Sequence, residues 1–140
     1  MAYTITRRVT FCAGHRVFGH ESKCNNLHGH NYTVLFDAQA DELDELGRVI
    51  DFAVLKERLK GWIDEYWDHG LILMESDPIV PMMTRSLGQK CYLLSQNPTA
   101  ENLAEHLLHH AAPEALLGVG VRVVRVTLWE TENCCAVAEL

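Results

Sequence analysis

Cys24-Asn25-Asn26-Leu27-His28-Gly29-His30 places a thiol four residues ahead of two histidines spaced two apart, and it runs directly into Asn31-Tyr32-Thr33-Val34-Leu35-Phe36. Tyr32, Val34 and Phe36 keep phase with His28 and His30, so the segment from His28 to Ala38 predicts a strand with both imidazoles on one face. Upstream, from Tyr3 to His15, Ile5, Val9, Phe11 and Ala13 fall on one alternation, and Thr4, Thr6, Arg8 and Thr10 on the other. This is a half-buried strand carrying His15 on its apolar side. The connection from Arg16 to Asn26 is polar and contains glycine, so the two strands form a long antiparallel hairpin. The end of the first then lies beside the start of the second, and His15 meets His28 and His30.

Three imidazoles around one point, with a fourth position open, suit a zinc ion in a catalytic rather than a structural site. The chain has eight histidines, so a lone His-x-His pair would mean little; the phase of His15 gives the pair its weight. The bland alternative is a polar strand end that uses histidine for hydrogen bonds. Beside a zinc ion the thiolate of Cys24 would be favoured, making it a base or nucleophile; the alternative is a structural site with Cys24 as fourth ligand. Asp68-His69 falls where a helix should end. The pair either prepares an imidazole for proton transfer or simply terminates the helix, where its dipole favours a cation. Glu130 follows Val126 and Leu128 in phase. It is either a solvated strand end or an acceptor for the N–H donors of a guanidine-like heterocycle. On local evidence alone, Thr99 and Glu101 belong to the start of a helix.

Length and composition set the frame. The chain has 140 residues, 48% of them hydrophobic, which is enough for one domain, 1–140, with its own core. A net charge of −7 with scattered Lys and Arg excludes general nucleic-acid binding. The N-terminus lacks the apolar stretch of a secretory signal and no apolar run is long enough for a membrane span, so the expectation is a cytoplasmic protein without a membrane partner. Five cysteines with no Cys-x-x-Cys fit reduced thiols rather than a disulfide framework. Cys12 and Cys91 read as small buried hydrophobes.

After an acidic connection, Asp51 is placed to cap a helix whose apolar stripe is Leu55, Leu59, Trp62, Ile63, Tyr66 and Trp67, ending near Asp68. Residues Gly70 to Gln96 are broken by Pro78, Pro81 and Gly88, and read as a flap or a short extra strand pair. Asn97-Pro98 signals a second helix, with Asn97 as cap and Pro98 in its first turn; its stripe of Leu103, Leu107 and Ala111 should stop at Pro113. Val121 to Trp129 reads as a strand buried on both faces, and Cys134 to Leu140 as its hairpin partner. The order is ββααββ, an α+β domain with helices on one face of an antiparallel sheet.

His15, Cys24-x-x-x-His28-Gly29-His30, Val49-Ile50-Asp51-Phe52, Asp68-His69, Pro98-Thr99-Ala100-Glu101-Asn102 and Trp129-Glu130-Thr131 occur in the order that resembles the 6-pyruvoyl-tetrahydropterin and 6-carboxy-tetrahydropterin synthase family. The resemblance covers essentially the whole chain. It implies the tunnelling fold, a four-stranded antiparallel sheet with two helices, three copies closing a barrel and two trimers stacking into a hexamer. It further implies zinc on His15, His28 and His30, a catalytic thiolate at Cys24, proton transfer by Asp68 and His69, and a pterin held by Glu130 and Thr99. Active sites at subunit interfaces would draw these residues from different chains. The three-residue gap between Cys24 and His28 resembles the 6-carboxy type of queuosine biosynthesis, while Asn25-Asn26 in that gap is less typical of it. The implied substrate is 7,8-dihydroneopterin triphosphate, with Arg16 and Lys23 as candidate triphosphate contacts. The alternatives are a 6-pyruvoyl-tetrahydropterin synthase and a zinc-stabilised binding module without chemistry.

Overall fold

The computed structural model describes residues 2–140. The expected hairpin is its centre: β1 (Thr4–His15) and β2 (His28–Gln39) pair antiparallel over their whole length, from Thr4 opposite Gln39 to His15 opposite His28. Val9, Phe11, Ala13 and His15 of β1 and Tyr32, Val34, Phe36 and Ala38 of β2 are buried, as the period-2 pattern dictates. β5 (Arg122–Thr131) and β6 (Cys134–Glu139) extend the sheet antiparallel beyond β2.

The expectation of four strands is incomplete. The stretch from Gly70 to Gln96 contributes β3 (Leu71–Met74) and β4 (Cys91–Leu94), and the sheet has six strands in the order β4-β3-β1-β2-β5-β6. β3 runs parallel to β1 and β4 parallel to β3, so the sheet is mixed. Four residues are too few to reveal a period in sequence, but Ile72 and Leu73 are fully buried. Gly14 permits the close approach of β3: a Cβ there would lie 2.6 Å from the Leu71 side chain, and its N–H donates to the Gly70 carbonyl at 2.9 Å.

β5 is not buried on both faces. Arg122 and Arg125 are exposed while Val123, Val126 and Leu128 are buried. The apparent continuity of apolar residues comes from an irregularity opposite Asp37/Ala38, which leaves Val124 unpaired with β2 and lets both Val123 and Val126 face inward.

α1 (Phe52–Tyr66) packs on β1 through Leu55, Leu59, Trp62 and Ile63, and Asp51 caps it by accepting from the Ala53 N–H at 2.8 Å. Trp67, just past its end, is fully buried against Phe11, which stacks on Tyr32 at 4.9 Å. Burial of such an aromatic stabilises by about 2–3 kcal/mol. The second helix starts two residues later than expected: Thr99 is its cap, accepting from the Asn102 N–H at 3.2 Å, and Asn97 instead uses its amide to hold both backbone polar groups of Phe18. This helix, α2 (Ala100–His106), packs on β5 and β6. Nor does Pro113 stop it. A wide π-turn, Leu107–Ala111, leads into α3 (Ala112–Ala115), which contains the proline. A proline lacks the N–H of a regular turn and crowds the carbonyl four residues back, and the wider turn accommodates both defects.

His106 sits in this second layer beside Trp67 and His110, with Nε2 2.8 Å from the Tyr92 hydroxyl. Burial, helped by His110 and opposed by Glu114, lowers its pKa to about 4. As pH falls from the ordinary histidine value towards that figure, the unfolded chain takes up a proton that the folded chain refuses. Stability therefore declines through this window and levels off below it. Urea unfolding is expected to show a lower midpoint at about pH 5 than at about pH 7, and His106→Gln to narrow the gap. An undiminished gap in the variant would assign the effect to other groups.

Candidate functional site

His15, His28 and His30 converge at the end of the β1–β2 hairpin, each offering a ring nitrogen within 4.8 Å of the others. Register places them there, because His15 is opposite His28 and Ala13 opposite His30. Two backbone carbonyls set the tautomers. The Pro98 carbonyl accepts from His15 Nδ1 at 2.7 Å, and the Asn26 carbonyl accepts from His28 Nδ1 at 2.7 Å. A carbonyl cannot donate, so Nδ1 carries the hydrogen in both rings and each Nε2 presents a lone pair. Those two Nε2 atoms face each other at 3.1 Å. His30 Nε2 is buried with no hydrogen-bond partner among the described residues. One carboxylate oxygen of Glu130 lies 3.4 Å from His15 Nε2 and 3.6 Å from His30 Nε2.

Lone pairs and a carboxylate pointed at one another repel unless a cation lies among them, and three imidazoles are a ligand set for a borderline metal such as zinc. Burial lowers the pKa of His15, with the Pro98 carbonyl opposing; it also lowers that of His30, with Glu130 opposing. Both effects keep the rings neutral, as ligation requires. Tyr32, fully buried below the rings, has its hydroxyl 3.4 Å from His15 Nδ1, and burial raises its pKa. Glu130 faces the cluster in phase with Val126 and Leu128, and the β5–β6 ladder breaks at it: Trp129 pairs with Cys135 and Thr131 with Cys134, leaving Glu130 without a partner in β6.

Cys24 lies in the single 3₁₀ turn Lys23–Asn25 that precedes β2, and its carbonyl accepts from the Val17 N–H at 2.8 Å. Thr99 is held as the α2 cap, directly after the residue whose carbonyl orients His15.

Asp68 and His69 are elsewhere. They lie beside Cys12, which is on the alternate face of β1 from His15, so one chain does not bring all the candidate residues together. Asp68 accepts from the Cys12 N–H at 3.0 Å and from His69 Nδ1 at 2.8 Å. Burial works to raise its pKa, but these bonds and nearby Lys60 hold it below the usual carboxylate value. Cys12 is thus not the small buried hydrophobe that its residue type suggested: it is half-buried and faces two ionisable groups. Arg16 is not a free cation either. Its guanidinium is forked onto the buried Asp77, with Nε at 2.7 Å from Oδ2 and a second, shorter contact to Oδ1. Asp77, Cys12 and the two orienting carbonyls carry no signal in sequence, since each is defined by a partner far along the chain.

The fold is α+β and of the tunnelling-fold kind: it is similar to an uncharacterized protein of Wolinella succinogenes, with a TM-score of 0.82, 25% identity, and coverage of 99% of this chain and 98% of that one. It is likewise similar to the 6-pyruvoyl tetrahydropterin synthase of Plasmodium falciparum, with a TM-score of 0.73, 21% identity, and coverage of 99% and 98%. Residues 4–140 match the family described as 6-pyruvoyl tetrahydropterin synthase, and the chain belongs to that family. It is 45% identical over 130 residues to the 6-carboxy-5,6,7,8-tetrahydropterin synthase of Rickettsia bellii, covering 92% of this chain and 94% of that protein. No helix among the described residues is long and apolar enough to cross a membrane.

The Arg16–Asp77 fork closes the loop after β1 onto the segment after β3. Its hydrogen bonds, led by that from Arg16, hold the Asp77 carboxyl below its ordinary range. The stabilisation is therefore present above that range and is lost as pH falls through the depressed value. Asp77→Asn is expected to lose about 2–4 kcal/mol in urea unfolding near neutral pH, because it strands a part-buried guanidinium. Wild type and variant should converge in acid; a constant difference at every pH would mean that packing, not charge, is lost.

Proposed function

We propose that the chain is a zinc-dependent 6-carboxy-5,6,7,8-tetrahydropterin synthase, a lyase that converts 7,8-dihydroneopterin triphosphate and water to 6-carboxy-5,6,7,8-tetrahydropterin, acetaldehyde and triphosphate in queuosine biosynthesis. The observation that carries this reading is the opposed pair of Nε2 lone pairs on His15 and His28, with the unpartnered Nε2 of His30 beside them. The identity to the Rickettsia bellii protein of that name supports the product assignment over the 6-pyruvoyl alternative.

His15, His28 and His30 would hold the zinc, which when bound supplies Lewis-acid polarisation of substrate oxygens. The chain's own groups do the rest. The Pro98 and Asn26 carbonyls keep two of the rings in the ligating tautomer. Cys24 is the proposed base that takes a proton from the substrate side chain, and His69, oriented by Asp68, moves protons during the internal redox shift. Glu130 turns one oxygen to the histidines, while its other oxygen has no protein partner among the described residues and is proposed to accept from the N–H edge of the pterin. Thr99, at the start of α2, is proposed to help hold the ring, and Lys23 to contact the triphosphate. Asp68 and His69 lie on the other face of β1, so the proposed reaction needs a second chain to supply them. A hexamer of two stacked trimeric barrels, in the cytoplasm, is the assembly proposed here.

Incubating zinc-loaded protein with 7,8-dihydroneopterin triphosphate should yield 6-carboxy-tetrahydropterin and acetaldehyde by mass spectrometry. A 6-pyruvoyl product would transfer the assignment to the alternative enzyme, and no turnover with zinc fully bound would sink both. Cys24→Ala is expected to lower turnover by about 10²–10⁴-fold with zinc content unchanged. Loss of metal together with stability in that variant would instead make Cys24 a structural ligand.

A further inference from the structure

Cys12, Asp68 and His69 form a second cluster, and its connectivity is that of an activated thiol. Asp68 Oδ2 lies 2.8 Å from His69 Nδ1, and a carboxylate only accepts, so Nδ1 carries the hydrogen and Nε2 the lone pair. The Cys12 sulfur lies against this ring, 3.7 Å from Nε2, 3.9 Å from Nδ1 and 3.9 Å from Asp68 Oδ1, and of the two ring nitrogens only Nε2 can take the thiol proton. Thiol, imidazole and carboxylate thus follow one another as nucleophile, base and orienting group.

The backbone holds this order in place. The Cys12 N–H donates to Asp68 Oδ1 at 3.0 Å, and the Cys12 carbonyl accepts from the His69 N–H at 2.7 Å, so the strand grips both partners of its own side chain. His69 is the one residue other than glycine, among those described, with a positive φ, +61°. That conformation costs a histidine about 1 kcal/mol or more, and the contacts to Cys12 hold it there. Lys90 donates to the Asp68 carbonyl at 2.7 Å, fixing the turn from behind. Cys12 and His69 line a cavity of about 400 Å³ with Gly14, Gly29, Asn31 and Gln89, and the His69 side chain is 78% exposed, so small solutes can reach the pair. None of this involves Cys24.

We propose that Cys12 is a covalent modification site for low-molecular-weight disulfides, activated by His69 and Asp68 of its own chain. The thiol proton passes to His69 Nε2 and the thiolate attacks one sulfur of the incoming disulfide. That S–S bond breaks as the Cys12 mixed disulfide forms, and the departing thiolate recovers the proton from His69. Cys12 is oxidised and the leaving half of the disulfide is reduced. The adduct stands beside His69 Nε2, so on the reading proposed above it withdraws that imidazole from proton transfer, and a small reducing thiol restores it.

Exchange is measured on the intact protein without substrate, which separates this proposal from the pterin assignment. Protein is incubated with oxidised glutathione, sampled over time, and the adduct at each cysteine quantified by peptide mass spectrometry. The exposed Cys134 and Cys135 serve as internal references. Cys12 is expected to react about tenfold faster than Cys134 despite its lower exposure. His69→Asn, chosen because asparagine tolerates the left-handed backbone, should bring Cys12 to the Cys134 rate or below while the reference rates stay fixed. Asp68→Asn should slow Cys12 in the same direction. A wild-type Cys12 no faster than Cys134, or a rate untouched by His69→Asn, overturns the proposal.

Discussion

Two nitrogen lone pairs facing each other at 3.1 Å, those of His15 and His28 Nε2, are the constraint on which the site depends. Each is fixed from behind by a backbone carbonyl, so neither ring can relieve the repulsion by changing tautomer without giving up a hydrogen bond, which for His15 is buried. The arrangement makes sense for a protein that holds a cation there. Its demands spread outward. β1 and β2 must keep strict register to bring the rings opposite one another, and the start of α2 must stay close enough for the Pro98 carbonyl to reach His15. Asn97, which grips the loop after β1 through Phe18, ties those two requirements together.

Much of this is legible in the residues. The hairpin is written in alternation over twelve residues on each side, and the histidines keep its phase, so their convergence follows from the pleat alone. Asp51 and the apolar stripe of α1 are equally explicit. What escapes is whatever depends on length or on distant partners. β3 and β4 are the short extra strand pair that the sequence offered beside a flap, but with four residues each they are too short for a period to decide between the two. Pro113 reads as a stop because the turn that tolerates it leaves no signature in sequence.

The site shows the same division. His15, His28 and His30 could be placed from phase, and Glu130 from its step with Val126 and Leu128, but the break in β5–β6 pairing at Glu130 is a property of the finished sheet. Cys12 illustrates the limit well. Its strand position gives a side chain pointing away from the core, yet the groups it meets come from 56 and 57 residues further on. Arg16 is the opposite case: a cation beside the site in sequence, neutralised in space by Asp77.

β1 carries two chemistries on its two faces, the three-imidazole cluster on the core side and the thiol–imidazole–carboxylate cluster on the other. A proton moving between them within one chain would have to cross the sheet, through side chains packed at the density of a core. The sheet, however, ends in two edges, β4 and β6, whose outer backbone groups have no partner strand among the described residues. Edges of this kind favour pairing with another copy. Closing several sheets edge to edge would satisfy those groups and, in the proposed assembly, sets the His69 face of one copy towards the histidine cluster of the next. In the proposed assembly, then, the oligomer is needed for the reaction as well as for stability, because the separation of the two clusters across β1 leaves each chain with half of the proton-transfer machinery.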